Sequence, residues 1–135
     1  MRTITLSATT ENISNAIQFV TDFLDSFNCP MNIRMKIELA VDEIFCNIAS
    51  YAYAPDTGDS VIDVDYDEKA HNVHIVFKDK GVRYDPLAKD DPDVTLSASE
   101  RAIGGLGIFL VKKTMDDMYY EYRDGMNILH LIKHI

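Results

Sequence analysis

Glu43 and Asn47 are the two side chains whose types and spacing most directly admit chemistry. They lie in the run IRMKIELAVDEIFCNIASYAY, from Ile33 to Tyr53, and a separation of four residues places one above the other on a helix. Ile33, Ile37, Ala40, Val41, Ile44, Ile48 and Tyr51 recur at steps of three and four, which predicts a helix with one apolar stripe turned to a core. Glu43 and Asn47 fall at the margin of that stripe, half buried and side by side, while Glu38 and Asp42 lie opposite it. A carboxylate so placed can act as a general base, and a carboxamide oxygen can ligate the hydrated magnesium ion that accompanies a phosphate. The same pair can also simply edge a core helix, so its meaning depends on partners elsewhere in the chain.

Further along, Val73, Ile75 and Phe77 alternate at period two, and the same parity turns Asp79 toward the buried side of the strand. A buried acid needs a partner. Asp79-Lys80-Gly81 closes this strand, and from Val82 to Ile103 the periodicity disappears into a stretch with Pro86, Pro92 and several aspartates. A loop of that length in a small domain reads as a lid, a binding loop or disorder. Gly104-Gly105-Leu106-Gly107 then opens an apolar helix carrying Phe109, Leu110 and Val111. Glycines there let the backbone approach a ligand, and a helix N-terminus favours an anion.

The elements that must position these groups follow from periodicity. Arg2 to Ser7 alternates as a short strand. Thr9 or Thr10 offers an N-cap to a first helix through Ile13, Ala16, Ile17, Val20, Leu24 and Phe27. Pro30 suits the first turn of the long helix. Ile62, Val64 and Tyr66 alternate with Asp63, Asp65 and Asp67, so the first set is expected in the core and the second in water. Met118 to Tyr122 and Asn127 to Ile135 form two more strands around Asp124-Gly125, a strong hairpin signal. This order predicts an α+β, two-layer sandwich whose mixed, mostly antiparallel sheet carries its helices on one face.

With 135 residues the chain is expected to form a single domain spanning 1–135. A net charge of −9 argues against general nucleic-acid binding, though not against holding one nucleotide. Asp90, Asp91 and Asp93 read as a solvated loop. No apolar run is long enough to cross a membrane, and the segment MRTITLSATT lacks an apolar signal region, so a cytoplasmic location is expected. Cys29 and Cys46 read as reduced and structural. His130 and His134 have the spacing of helical zinc ligands but fall in a strand, and are expected at the surface or a sheet edge.

Taken in order, Glu43 with Asn47, Asp79-Lys80-Gly81 and Gly104-Gly105-Leu106-Gly107 resemble the N box and the two glycine boxes of the Bergerat-type ATP-binding fold, shared by gyrase, histidine kinases and MutL. Within that GHKL superfamily, the glutamate in the N box and the segment ERAIGGLGIFLVKKTMDDMYYEYRDGMNIL look most like the anti-sigma regulatory factor serine/threonine kinases of the RsbW and SpoIIAB type. The resemblance implies ATP and Mg²⁺ as cofactors. It implies that Asp79 accepts from the adenine amino group, with Gly81 keeping the backbone close to the base. Asn47 would ligate magnesium, and Glu43 would serve as general base. Amides of Gly104, Gly105, Leu106 and Gly107 would hold the phosphates, and Arg101 would reach the terminal phosphate.

The implied partner is a STAS-domain anti-sigma-factor antagonist, phosphorylated on serine or threonine. A sigma factor would be bound in the alternative state, and a homodimer is compatible with the resemblance. The alternative is a non-catalytic partner-switching adaptor that uses nucleotide only to order its lid. The chain departs from the family pattern at Lys80, often asparagine, and at Ser50 and Tyr51, which replace a histidine-containing stretch. It departs again at Ile128-Leu129-His130, where a threonine often supports the adenine site.

Overall fold

The computed structural model describes residues 1–88 and 105–135. Arg101, Gly104 and most of the expected lid lie outside the described residues. Strand β1 (Arg2–Ser7) leads through a 3₁₀ turn (Thr10–Asn12) into α1 (Ile13–Leu24), followed by α2 (Met31–Asn47). Strands β2 (Asp59–Asp67) and β3 (Asn72–Asp79), helix α3 (Gly105–Thr114), and strands β4 (Asp117–Arg123) and β5 (Met126–His134) complete the order. The five strands form one sheet in the order β1-β2-β3-β5-β4. Every pairing is antiparallel, so the sheet is not mixed, as expected from sequence, but uniform. Among the described residues no helix is long and apolar enough to cross a membrane.

Alternation decides which sheet face the helices cover. Ile62 and Val64 of β2, Val73, Ile75 and Phe77 of β3, and Leu129 and Leu131 of β5 share one face and are buried. Against them pack Ala16, Val20 and Leu24 of α1, Ile37, Ala40, Val41 and Ile44 of α2, and Ile108 and Val111 of α3. The hairpin between β4 and β5 turns at Asp124 and Gly125, whose φ values of 56° and 76° suit the positive-φ turn that the Asp-Gly pair signals.

Three local expectations are corrected. The long helix does not run on regularly to Tyr53. It loosens after Asn47 into a π-helical turn over Ile48–Ala52. The extra residue in that turn shifts the stripe, so Tyr51 leaves the core and is 59% exposed. Thr9 makes no side-chain cap, because a 3₁₀ turn intervenes and Asn12 Nδ2 donates instead to the Ser7 carbonyl at 2.9 Å. Asp63, expected in water, is 9% exposed: β2 is flanked by β1 and β3, and the Thr3 hydroxyl at 2.7 Å and Lys78 Nζ at 2.9 Å close over it. Burial acts to raise the Asp63 pKa, but these two partners outweigh it and hold the carboxyl below its ordinary value.

The opposite sheet face carries a polar row rather than helices. His130 is no edge residue, since β5 lies between β3 and β4. Its ring stacks on Tyr119 at 4.1 Å, its Nδ1 meets His74 Nε2 at 3.0 Å, and its Nε2 meets Glu121 Oε2 at 2.9 Å. His134 is exposed and reaches Asn72 Oδ1 at 3.2 Å. Burial and the neighbouring His130 hold the His74 pKa below 6.5, against the pull of Asp65. A histidine with a depressed folded pKa contributes stability above its unfolded pKa and loses it as pH falls, because the unfolded chain then binds more protons. Denaturant unfolding at about pH 7.5 and about pH 5.5 should therefore show acid destabilisation that is smaller in His74→Gln. An identical pH dependence in the two proteins would contradict the assignment.

Candidate functional site

Asp79 ends β3 on the core-facing parity and is 7% exposed, as the strand's alternation predicts. Its partner is Asn127, which stands directly across from it in the register of β3 and β5. Asn127 Nδ2 donates to Asp79 Oδ1 at 3.0 Å, and the Gly81 amide donates to the same oxygen at 2.9 Å. Among the described residues, the hydrogen bonds to this carboxylate fall on Oδ1. Among the described residues, no hydrogen bond reaches Oδ2.

The chain leaving β3 is held close to α2. The Val82 amide donates to the Ala52 carbonyl at 2.8 Å, so the exit loop is pinned to the end of the π-helical turn. Gly81 must be glycine for this approach, because a Cβ there would run into the Ala52 carbonyl. Nearby, the Lys80 amide donates to the Tyr53 hydroxyl at 2.8 Å, and that hydroxyl donates to the Asp59 carbonyl at 2.6 Å.

Between these elements lies a cavity of about 240 Å³. Ile44, Phe77, Ile108 and Leu129 supply apolar wall, and Asn47, Asp79, Arg83 and Asn127 are the amide and charged residues that line it. An apolar cleft with a few fixed polar groups has the composition of a small-molecule site. Tyr51, displaced outward by the π-helical turn, also lines it. The Tyr51 ring therefore stands at the cavity rather than in the core.

Glu43 lies one helical turn before Asn47 and is half buried. A Cβ at Gly107 would overlap Glu43 Oε2, so the carboxylate lies directly against the first turn of α3. Gly105, Leu106 and Gly107 form that turn. The unpaired amides of a helix start attract anions, and Glu43 is set beside the place where one would bind.

Of the residues singled out by sequence, Glu43, Asn47, Asp79, Gly81 and Gly107 are therefore gathered around one cavity and its adjoining helix start. Gly105 and Leu106 stand at that helix start as well, whereas Arg101 and Gly104 are outside the described residues. Sequence reasoning missed Asn127, Tyr120 and Tyr84. The Tyr120 hydroxyl donates to Asn127 Oδ1 at 2.5 Å and the Tyr84 amide donates to the same oxygen at 3.0 Å. Burial raises the Tyr120 pKa against the pull of Arg83, which favours its role as a donor. A signal for Asn127 existed: it shares the core-facing parity of Leu129 and Leu131, the same anomaly that singles out Asp79.

The sequence profile of the histidine kinase-like ATPase domain matches residues 6–133. The chain belongs to this family. Its curated relatives include the serine/threonine-protein kinase BtrW of Bordetella bronchiseptica, 27% identical over 132 residues that cover 98% of this chain and 92% of that protein. The serine-protein kinase RsbW of Listeria monocytogenes is 28% identical over 97 residues, which cover 69% of this chain and 61% of the relative. RsbW of Bacillus cereus is 29% identical over 97 residues, which cover 69% of this chain and 59% of that protein. The five-stranded sheet with helices on one face is the architecture expected of the family.

The close approach of Gly81 provides a direct check on the geometry. Gly81→Ala should cost about 1 to 3 kcal/mol in denaturant unfolding, because backbone must move to admit the methyl group. A stability within about 0.5 kcal/mol of the parent would show that the loop is not pinned as described.

Proposed function

We propose that the chain is a magnesium-dependent ATP:protein serine/threonine kinase that phosphorylates a STAS-domain anti-sigma-factor antagonist in a partner-switching pathway. In the alternative state it binds a sigma factor. The observation that carries the reading is the contact between Glu43 and the first turn of α3, since it sets a carboxylate beside a ready-made anion site. The names of the kinase relatives support the reaction class. A cytoplasmic setting belongs to the same proposal.

The residues present fit ATP and Mg²⁺. Asp79 lines a mostly apolar cavity, and its Oδ2 takes no hydrogen bond among the described residues, which suits a heterocycle with one exocyclic donor. Asn47 lines the same cavity and offers an amide oxygen, a hard ligand for an ion that keeps most of its water. Bound ATP supplies the phosphoryl group, and Mg²⁺ neutralises charge on the phosphates. Asp79 accepts from the adenine amino group, and Gly81 lets the backbone lie close to the base. Amides of Gly105, Leu106 and Gly107 at the start of α3 hold the phosphate oxygens. Glu43 accepts the proton of the attacking serine or threonine hydroxyl. The proposal retains Gly104 among the phosphate-binding amides and Arg101 as the cation for the terminal phosphate, both on the strength of the family resemblance.

Magnesium-dependent binding is the first test. MgATP at about 100 times its dissociation constant should stabilise the folded chain by about 2.7 kcal/mol. Asn47→Ala should remove most of the part that depends on magnesium. A melting temperature insensitive to saturating MgATP would contradict nucleotide binding.

Chemistry is tested separately by labelled phosphate transfer to small STAS-domain proteins of the source organism. Glu43→Gln should leave MgATP affinity near that of the parent and depress transfer at least about 100-fold, since a general base acts only on the attacking hydroxyl. Undiminished transfer would refute the role of Glu43. Binding without transfer in the parent would favour the adaptor.

A further inference from the structure

Helix α2 is apolar on two sides. Its inner side places Ile37, Ala40, Val41, Ile44 and Phe45 in the core. On its outer side Met31, Met35 and Leu39 are 66%, 61% and 39% exposed. Single exposed apolar residues are common on soluble proteins, but residues four apart on a helix are neighbours, so these three form one continuous strip. A helix with one covered face ordinarily carries polar residues on the other, and core packing makes no use of the strip. Charged groups border it: Arg34 is held by Glu38 at 3.3 Å and by Asp25, and Lys36 is exposed. An exposed apolar strip with a polar rim marks a contact surface, and the unbranched, polarisable side chain of methionine adapts to what covers it.

The strip leads to the candidate site. Four residues turn a helix by about 400° and raise it by about 6 Å, so each step along Met31, Met35 and Leu39 also swings the row by about 40°. The next members of that row are Glu43 and Asn47. Leu39 therefore stands about 6 Å, and Met35 about 12 Å, along the axis from the carboxylate that lies against the first turn of α3. On α3 itself Leu110, one turn after Gly107, is exposed as well. A protein whose hydroxyl reaches Glu43 must cover the surface around it. A stable interface buries about 800 Å² on each partner, the area of a disc of about 16 Å radius. Centred on Glu43, that disc takes in Leu39 and Met35 and extends toward Met31. A second copy of the chain seated on the strip would occupy the ground that the acceptor needs.

We propose that Met31, Met35 and Leu39 form the docking strip for the protein acceptor, a partner that carries its serine or threonine hydroxyl beside an apolar patch of its own. The inference rests on the reading of Glu43 as the base for that hydroxyl. The strip supplies affinity for the acceptor and takes no part in the chemistry, since none of its three residues lines the cavity.

Steady-state transfer from MgATP to the STAS-domain protein that takes label from the parent tests this, with the double variant Met35→Gln and Leu39→Gln. Glutamine is a good helix former, so the exchange removes apolar surface and leaves the helix intact. The variant should raise KM for the acceptor about tenfold or more, with kcat within about twofold of the parent and MgATP affinity unchanged, the pattern of lost uniform binding. In the parent, labelled with methyl-enriched methionine, the Met31 and Met35 signals should shift when the acceptor is added, while that of Met115, buried in the core, should not. An unchanged KM, or Met31 and Met35 signals that ignore the acceptor, would overturn the inference and leave the role of Glu43 standing. A parent dimer that the double variant converts to monomer in sedimentation, with KM unchanged, would assign the strip to a second copy and overturn it too. If no STAS-domain protein takes label from the parent, the kinase reading fails and this inference with it.

Discussion

A carboxylate buried at the end of a central strand must be met by donors, because an unpaired buried charge costs several kcal/mol in effective desolvation. Asp79 is in that position, and much of the surrounding structure follows from meeting its requirement. The donor from β5 requires Asn127 to stand in register with Asp79. The donor from the exit loop requires the chain to turn back at Gly81, and the turn brings that residue against Ala52, where a side chain has no room. Ala52 in turn ends the π-helical turn that follows α2. One buried acid thus links the sheet, the exit loop and the long helix.

The long helix then carries the same geometry to the opposite end of the site. Asn47 faces the cavity, and Glu43, a turn earlier, meets the start of α3. Glycine inside a helix ordinarily costs about 0.5 to 1 kcal/mol relative to alanine. At Gly107 that cost secures the space occupied by Glu43 Oε2. The two ends differ in chemistry. The cavity is mostly apolar with an anchored carboxylate at its wall, whereas the other end sets a carboxylate beside a helix start, where backbone amides favour an anion. Their spacing is set by a rigid helix rather than by a loop, which favours reproducible alignment of the two.

Much of this was legible in the residues because it depends on parity and helical phase. The alternation through Phe77 places Asp79 inward, and the apolar stripe of α2 places Glu43 and Asn47 at its margin. Asn127 obeys the same parity, but its meaning depends on pairing with a strand 48 positions away, which local pattern does not specify. Tyr51 was misplaced for a different reason: a π-helical turn changes the phase, and nothing in its composition marks it. Asp63 was misplaced because alternation identifies the face of a strand but not what covers that face. On β2, cover comes from Thr3 and Lys78, contributed by both neighbouring strands.

The central claim is that a single cavity reads the base at Asp79 and holds the metal at Asn47, with the phosphates directed to the start of α3. A crystal structure of the chain with a non-hydrolysable ATP analogue and Mg²⁺ tests it most directly. The account predicts the adenine amino group within hydrogen-bonding distance of Asp79 Oδ2, Asn47 Oδ1 in the magnesium coordination sphere, and Glu43 beside the terminal phosphate. A nucleotide bound outside this cavity, or bound within it with the base directed away from Asp79, would contradict it.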